Sequence, residues 1–281
     1  MRAHYDPGMS HGFRFALTAT PHDQQQWLGT ARRAEQLGYS TVMMPDGLHL
    51  PSPMPALAIA AGATTSLHVG TWVLASPLRA PRLAAWDAHT LSLLSGGRFE
   101  FGIGTGRPEV AQQAADLLGQ PVTSPARRLA QVEQTIDELR ALDGDRHTPV
   151  LIAAGGPRAC ALAAAKADIF TLGAGPLASR DEIAGLAARV RDAAGDRASA
   201  LEFAIIIFVV GDEAPPWVQR FTGADAATLA AHDSLAILRG SAQEIADELQ
   251  RRRDTLGCSY IVVNGAFIEQ FAPVVELLAG R

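Results

Sequence analysis

Lysine is nearly missing from this chain: of 24 basic residues, only Lys166 is one. With alanine abundant, the preference for arginine reads as codon usage in a GC-rich genome rather than as chemistry. The basic residues are scattered and the net charge is −5. That excludes a nucleic-acid partner, whose phosphates need a concentrated basic face. Cysteine is also scarce. Cys160 and Cys258 have no metal-ligand spacing, no other ligand cluster appears, and no metal is expected. Each sits in an apolar run that predicts a small buried side chain in a reduced compartment. The longest apolar stretch, FAIIIFVV from Phe203 to Val210, is far too short to span a bilayer. The opening MRAHYDPGMSHG lacks a basic start followed by an apolar core, so no signal peptide is expected. Linkers rich in Pro, Ser or Gly are absent as well. The chain therefore reads as a cytoplasmic protein with a flexible segment over 1–12 and one domain over 13–281.

What is plentiful is apolar character, 48% of all residues, which supports a large core and excludes a disordered chain. Strand-like runs alternate with helical patterns throughout. The strands are predicted over 13–19, 40–45, 67–75, 98–104, 149–154, 168–173, 201–210 and 259–264, apolar on both faces as covered parallel strands are. Between them lie helix signals: Asp23 with Gln26, and capping boxes at Ser179 with Glu182 and at Ser241 with Glu244. Leu129, Val132, Ile136, Leu139 and Leu142 recur three or four apart on one helical face. The last helix, from about Glu269, takes Pro273 within its first turn. Eight strand–helix units predict an α/β fold, a closed (β/α)8 TIM barrel. An open doubly wound sheet also alternates, but the count of eight and the even spacing favour the barrel. The segment 212–240 is the only long irregular connection, and it would cover the mouth after strand seven.

The stretch SGGRFEFGIGTGRPE, residues 95–109, places glycines at 102, 104 and 106. A dinucleotide fingerprint needs Gly-x-Gly-x-x-Gly opening directly into a helix after the first strand. Here the third glycine is displaced and the loop follows strand four, so the Rossmann reading fails. Alternate glycines instead strip one face of a strand end, where something flat or bulky can approach the backbone.

The run LHVGTWVLASPLRAPRLAAWDAHTLSLLSGGRFEFGIGTG, residues 67–106, resembles the bacterial luciferase-like superfamily of flavin- and deazaflavin-dependent oxidoreductases. RRAEQLGYSTVMMPD (32–46), PVLIAAGGPRACALAAAKADIFTL (149–172) and RGSAQEIADELQRRRDTLGCSYIVV (239–263) extend the resemblance, the last toward coenzyme F420-dependent members. The resemblance implies an isoalloxazine-type ring in the barrel mouth. Asp46 would hydrogen-bond the ring or its ribityl chain, and Trp72–Val73 would form a non-prolyl cis peptide behind it. Gly104 and Thr105 would line the ring edge, with Arg107 pairing to phosphate or to a substrate carboxylate. The AAGGPR segment, with Ala154, Gly155, Gly156 and Arg158, would hold phosphate on a helix N-terminus. Leu172 and Gly173 would touch the same tail. A longer glutamyl tail would call on Arg158 and Arg180.

One departure stands out. Deazaflavin-using relatives often carry Asp-His at the end of strand two, whereas this chain has Asp46-Gly47, with His49 nearby. Either His49 takes the acid–base role alongside Asp46, or another group does, or hydride transfer proceeds on positioning alone. Three functions follow. The first is hydride transfer between F420 and a small organic substrate. The second is an FMN-dependent monooxygenase using reduced flavin and oxygen, with a separate flavin or F420 reductase as partner. The third is a non-catalytic flavin-binding protein of the same fold. A homodimer is implied by the resemblance, through the second and third helices.

Overall fold

A computed structural model describes residues 11–281 of the protein; ten of the twelve residues expected to form a flexible start lie outside it. Eight strands form the barrel: β1 Arg14–Thr18, β2 Thr41–Met44, β3 His68–Thr71, β4 Phe99–Gly104, β5 Val150–Ala154, β6 Ile169–Leu172, β7 Glu202–Ile207 and β8 Cys258–Asn264. Every neighbouring pair is parallel. β8 closes onto β1 through Arg14↔Tyr260 to Thr18↔Asn264, and β3 meets β4 through Val69↔Phe99 and Gly70↔Glu100. Helices between the strands cover the outside, which makes the protein a closed (β/α)8 TIM barrel.

Alternation along the strands separates two cores. Ala16, Met43, Leu151, Ile169, Ala204 and Val262 point inward and fill the lumen at mid-height. Their neighbours, such as Phe15, Val42, Phe101, Phe170 and Ile261, point outward under the helices. The lower end of the lumen is polar. Arg14 donates to Glu100 at 2.5 Å and to Glu202 at 2.6 Å. The Tyr260 hydroxyl donates to Glu100 at 2.9 Å, and the Arg14 guanidinium lies 3.6 Å from the Tyr260 ring centre. Burial alone would lower the Arg14 pKa, but Tyr260, Glu100 and Glu202 together raise it. Burial, then Glu100, hold the Tyr260 phenol well above its ordinary range. This plug closes the barrel below and leaves the other end for function.

Helix signals read from sequence appear in place. Both capping boxes form, at Ser179 with Glu182 and at Ser241 with Glu244. Five expectations need correction. The third strand stops at Thr71 and resumes only at Leu74–Ala75, and the seventh leaves the barrel after Ile207, where Val209–Val210 pairs with Ile237–Leu238. The segment 212–240 is not irregular, since it holds the helices Pro216–Thr222 and Ala226–Ala231. A second excursion follows β4 and holds the helix Pro108–Leu118 before the long helix Pro125–Asp143. Pro273 stands beyond the first turn of its helix, Ile268–Leu278, as its sixth residue. The excursion after β7 is anchored where it returns. Buried Arg252 donates to the carbonyls of Leu235 and Ile237 and to Glu248, and Arg180 ties Glu248 to Asp233.

The approach to β3 depends on Glu35, in the last turn of the helix Gln24–Gln36. Its carboxylate accepts from the amides of Thr65, Ser66 and Leu67 at 2.8, 2.6 and 3.0 Å. The Ser66 amide first, with the other donors, holds its pKa down at about 2 against an ordinary 4.5. The stability this adds is present above the ordinary carboxylate value and is lost as pH falls through about 2. Acid denaturation followed by circular dichroism should therefore show Glu35→Gln less stable than wild type at pH 6, with the difference vanishing below about pH 2. A constant difference at all pH values would contradict the assignment.

Candidate active site

Toward the upper end of the lumen, inward-facing residues keep partial exposure. On β7, outward-facing Ile205 and Ile207 are buried, whereas inward-facing Ile206 is half-buried, as is Phe208 just beyond the strand. Ala153 on β5, Asn264 on β8, and Trp72 and Val73 beyond β3 are likewise half-buried. Helices cover the outer face, so the partial exposure of inward residues reports a well at the C-terminal ends of the strands. Its walls are apolar apart from Thr18, Thr171 and Asn264. The Thr171 side chain makes no hydrogen bond among the described residues.

The break in β3 shapes this well. The Trp72–Val73 peptide is cis, as the resemblance implied. The chain there presses on β4. A Cβ at Gly102 would lie 1.9 Å from the Thr71 carbonyl oxygen, and one at Gly104 would lie 2.9 Å from a Val73 methyl. The Thr71 hydroxyl donates to the Gly102 carbonyl at 2.6 Å. Space expected for a planar ligand at these two glycines is thus taken by the neighbouring strand. The glycines act by letting Val73 into the well.

Asp46 secures the far side of the same bulge. Arg79 donates to both its oxygens, at 2.5 and 3.1 Å, and the Ala75 amide donates at 2.9 Å. The Asp46 side chain keeps only 3% of its surface. This corrects the expectation for Asp46: its carboxylate is committed to Arg79 and Ala75, so it orients the bulge instead of serving as a free acid–base group. His49 is exposed, and its ring rests against Gly47, whose added Cβ would lie 2.8 Å from the imidazole.

At the β5 exit, Ala154 is buried while Gly155 and Gly156 are exposed. A Cβ on Gly155 would lie 2.7 Å from the Gly173 carbonyl oxygen, and one on Gly173 would lie 2.7 Å from that of Ala154, next to buried Leu172. The two strand ends are therefore held backbone to backbone. Gly156 is different: nothing lies within 4 Å of its missing Cβ. It is the N-cap of the helix Pro157–Lys166, and no side chain caps that helix. The amides of Arg158 and Ala159 therefore have no helical acceptor. Arg158 is exposed and without an acidic partner among the described residues. Arg180 does not join it, because Asp233 and Glu248 already bind its guanidinium.

Thr105 and Arg107 follow β4 along the rim. Arg107 stacks on Phe221 at 3.9 Å rather than pairing with a carboxylate. Among the described residues no group of His, Cys, Asp and Glu could hold a metal ion. Burial pushes the Cys258 thiol up to about 12, in keeping with an inert core residue. Sequence reasoning missed Arg79, Thr171 and Asn264. It also missed the polar plug, although each of Arg14, Glu100 and Glu202 stands as the single charge in an apolar strand.

Residues 9–146 match the family model described as luciferase-like monooxygenase. The match takes in just under half of the chain, which over that stretch is similar to this family. A curated relative, F420-dependent glucose-6-phosphate dehydrogenase from Intrasporangium calvum, is 32% identical over 171 residues. That match takes in 49% of this chain and 50% of the relative, so the chain spans about half the relative's length. Among solved structures, an F420-dependent secondary alcohol dehydrogenase superposes with a TM-score of 0.73 at 18% identity, over 94% of this chain and 98% of that one. EDTA monooxygenase from Chelativorans sp. gives 0.73 at 13% identity, over 95% and 94%. At such identities the two structures establish the shared fold. Among the described residues no helix is long and apolar enough to cross a membrane.

In this barrel the β3–β4 approach yields a graded prediction. Gly102→Ala meets backbone and should cost stability at the upper end of about 1–3 kcal/mol or beyond, whereas Gly104→Ala meets only a methyl and should cost less. Urea unfolding that ranked the two in the opposite order would refute this account.

Proposed function

We propose that the protein is an oxidoreductase that transfers a hydride between coenzyme F420 and a small organic substrate bound in the well. The observation that carries the proposal is the pairing of an open, apolar upper lumen with an uncapped helix N-terminus at its edge. The residues present fit such a cofactor. Trp72 and Val73 offer a flat apolar backing, and Gly156, the free amides of Arg158 and Ala159 and the Arg158 guanidinium form an anion cradle. When bound, the cofactor supplies a planar ring that accepts or returns the hydride. Thr105 and Thr171 offer hydroxyls to its edge, and exposed His49, beyond β2, is the group to hold a proton. The F420-dependent dehydrogenase relative supports this reading.

A second reading, FMN-dependent monooxygenation with reduced flavin from a separate reductase, is favoured by one observation. With Arg180 neutralised, Arg158 alone remains of the two arginines considered for a long anionic tail, which suits the single phosphate of FMN. Titrating the protein with F420 and with FMN, each followed by absorbance and fluorescence, separates the readings. Binding of F420 with substrate-dependent turnover supports the first and binding of FMN the second. Binding without turnover would leave a flavin carrier, and binding of neither would overturn the proposal. Loss of turnover in His49→Ala, with cofactor affinity kept, is the expected sign of a proton role.

Gly156→Asp tests the cradle directly. An aspartate at an N-cap accepts from the amides of the first turn and stabilises the helix. It should therefore lower cofactor affinity at least tenfold while leaving the melting temperature equal or higher. Unchanged affinity would move the phosphate elsewhere.

The homodimer belongs to the same proposal. Ile59 of the helix Pro53–Gly62 and Leu83, Trp86 and Leu94 of the helix Pro81–Leu94 are exposed, and Trp86 keeps 60% of its surface. Such a cluster on adjacent helices suits a second copy. Sedimentation should give a dimer that Trp86→Glu dissociates; a wild-type monomer would reject this face.

A further inference from the structure

Strands β4 and β7 are not neighbours. β4 pairs with β5, β5 with β6 and β6 with β7, so the two exits stand three strand spacings apart, about 14 Å along the wall. Yet Arg107, just beyond the exit of β4, holds its guanidinium 3.9 Å from the centre of the Phe221 ring, and Phe221 belongs to the helix that follows β7. The excursion after β7 therefore reaches across the exits of β5 and β6. Phe221 is one of three rings in mutual contact, 5.3 Å from Phe208 and 6.2 Å from Trp217 between centres. Phe208 directly follows the last residue of β7, where its amide donates to the Ala236 carbonyl at 2.8 Å. The aromatic cluster thus starts at the exit of β7 and ends at Arg107.

Two details mark this wall as a ligand surface rather than a small core. Phe221 keeps 46% of its surface, and Phe208 and Trp217 are only half-buried although all three rings touch. Arg107 has no carboxylate partner among the described residues, whereas Arg79 and Arg239, also on segments beyond strand exits, are tied to Asp46 and Asp212. A guanidinium held over an aromatic ring by its central carbon spends no N–H donor on that contact and can offer them to a planar acceptor such as a carboxylate.

We infer that Phe208, Trp217 and Phe221 form the substrate wall and Arg107 its charge selector, so that the substrate is a planar, apolar molecule carrying an anionic group. The inference rests on the proposed function, because the wall faces the well assigned to the cofactor. Its residues are separate from the cradle at Gly156 and Arg158. A sugar phosphate, rich in hydroxyls, would meet aromatic carbon at this wall instead of hydrogen-bonding partners.

The test compares 2-naphthoate, neutral 2-naphthamide and glucose 6-phosphate as probes, titrated by calorimetry into the protein with and without F420 or FMN. Naphthoate should bind at least tenfold tighter than naphthamide. Arg107→Gln should erase that difference, Arg107→Lys should restore part of it, and Phe221→Ala should weaken both naphthalenes about fivefold. Both positions are exposed, so the variants keep the fold. Equal binding of the two naphthalenes to wild type, tighter binding of glucose 6-phosphate, or no effect of Arg107→Gln would overturn the inference. A loss of cofactor affinity confined to Arg107→Gln would assign Arg107 to the cofactor and overturn it equally. If neither F420 nor FMN binds but the Arg107-dependent preference for naphthoate remains, the cofactor reading fails and the wall stands.

Discussion

At Gly102 the carbonyl of Thr71 occupies the place a side chain would need. That single backbone contact lets β3 fold over the edge of β4, and the upper barrel is arranged around it. Val73 enters the well beside Gly104, Trp72 packs against the lumen core, and Asp46 with Arg79 fastens the returning chain at Ala75. A larger residue at position 102 would push the bulge away and take the backing of the well with it. The same packing logic recurs at the next two exits, where Gly155 and Gly173 approach backbone to backbone. Small residues here create contact between strands as much as room for a ligand.

The two ends of the lumen divide stability from chemistry by polarity. Below, Arg14 sits between two carboxylates and over the ring of Tyr260, a set of groups satisfied by one another. Above, polar groups are sparse and left unsatisfied: the Thr171 hydroxyl, the first-turn amides after Gly156, and the guanidiniums of Arg107 and Arg158. In a folded protein, polar atoms without partners at a concave surface point to a missing ligand more directly than fold alone does.

Much of the barrel was legible in the sequence because its signals are local. Alternating apolar runs mark all eight strands, and the caps at Asp23, Ser179 and Ser241 mark helix starts that the structure reproduces. The cis peptide at Trp72–Val73 was also anticipated, from the resemblance rather than from any property of the two residues. What local signals could not supply were pairings across the fold. Asp46 lies 33 positions from Arg79 in the chain, and nothing in PDG says that an arginine will claim both oxygens. Arg180 looked available for an anion for the same reason. Glycines at 102 and 104 were read as space for a ligand, since sequence shows that a side chain is absent but not which neighbour uses the gap. The helix Pro108–Leu118 went unread because its apolar face is mostly alanine, with Ala111, Ala114 and Ala115 buried.

The anchoring of the excursion after β7 has a consequence for how this scaffold diversifies. Its departure is fixed by pairing of Val209–Val210 with Ile237–Leu238, and its return by Arg252 beneath Leu235 and Ile237. Between these two fastenings, only Val218, Ala224, Ala226 and Leu229 of residues 212–233 are buried, so mutations can accumulate at most of the others without loosening the cylinder. The molecule behaves as a fixed socket with an exchangeable fitting, and selection can retune what the fitting grips while the socket is inherited unchanged.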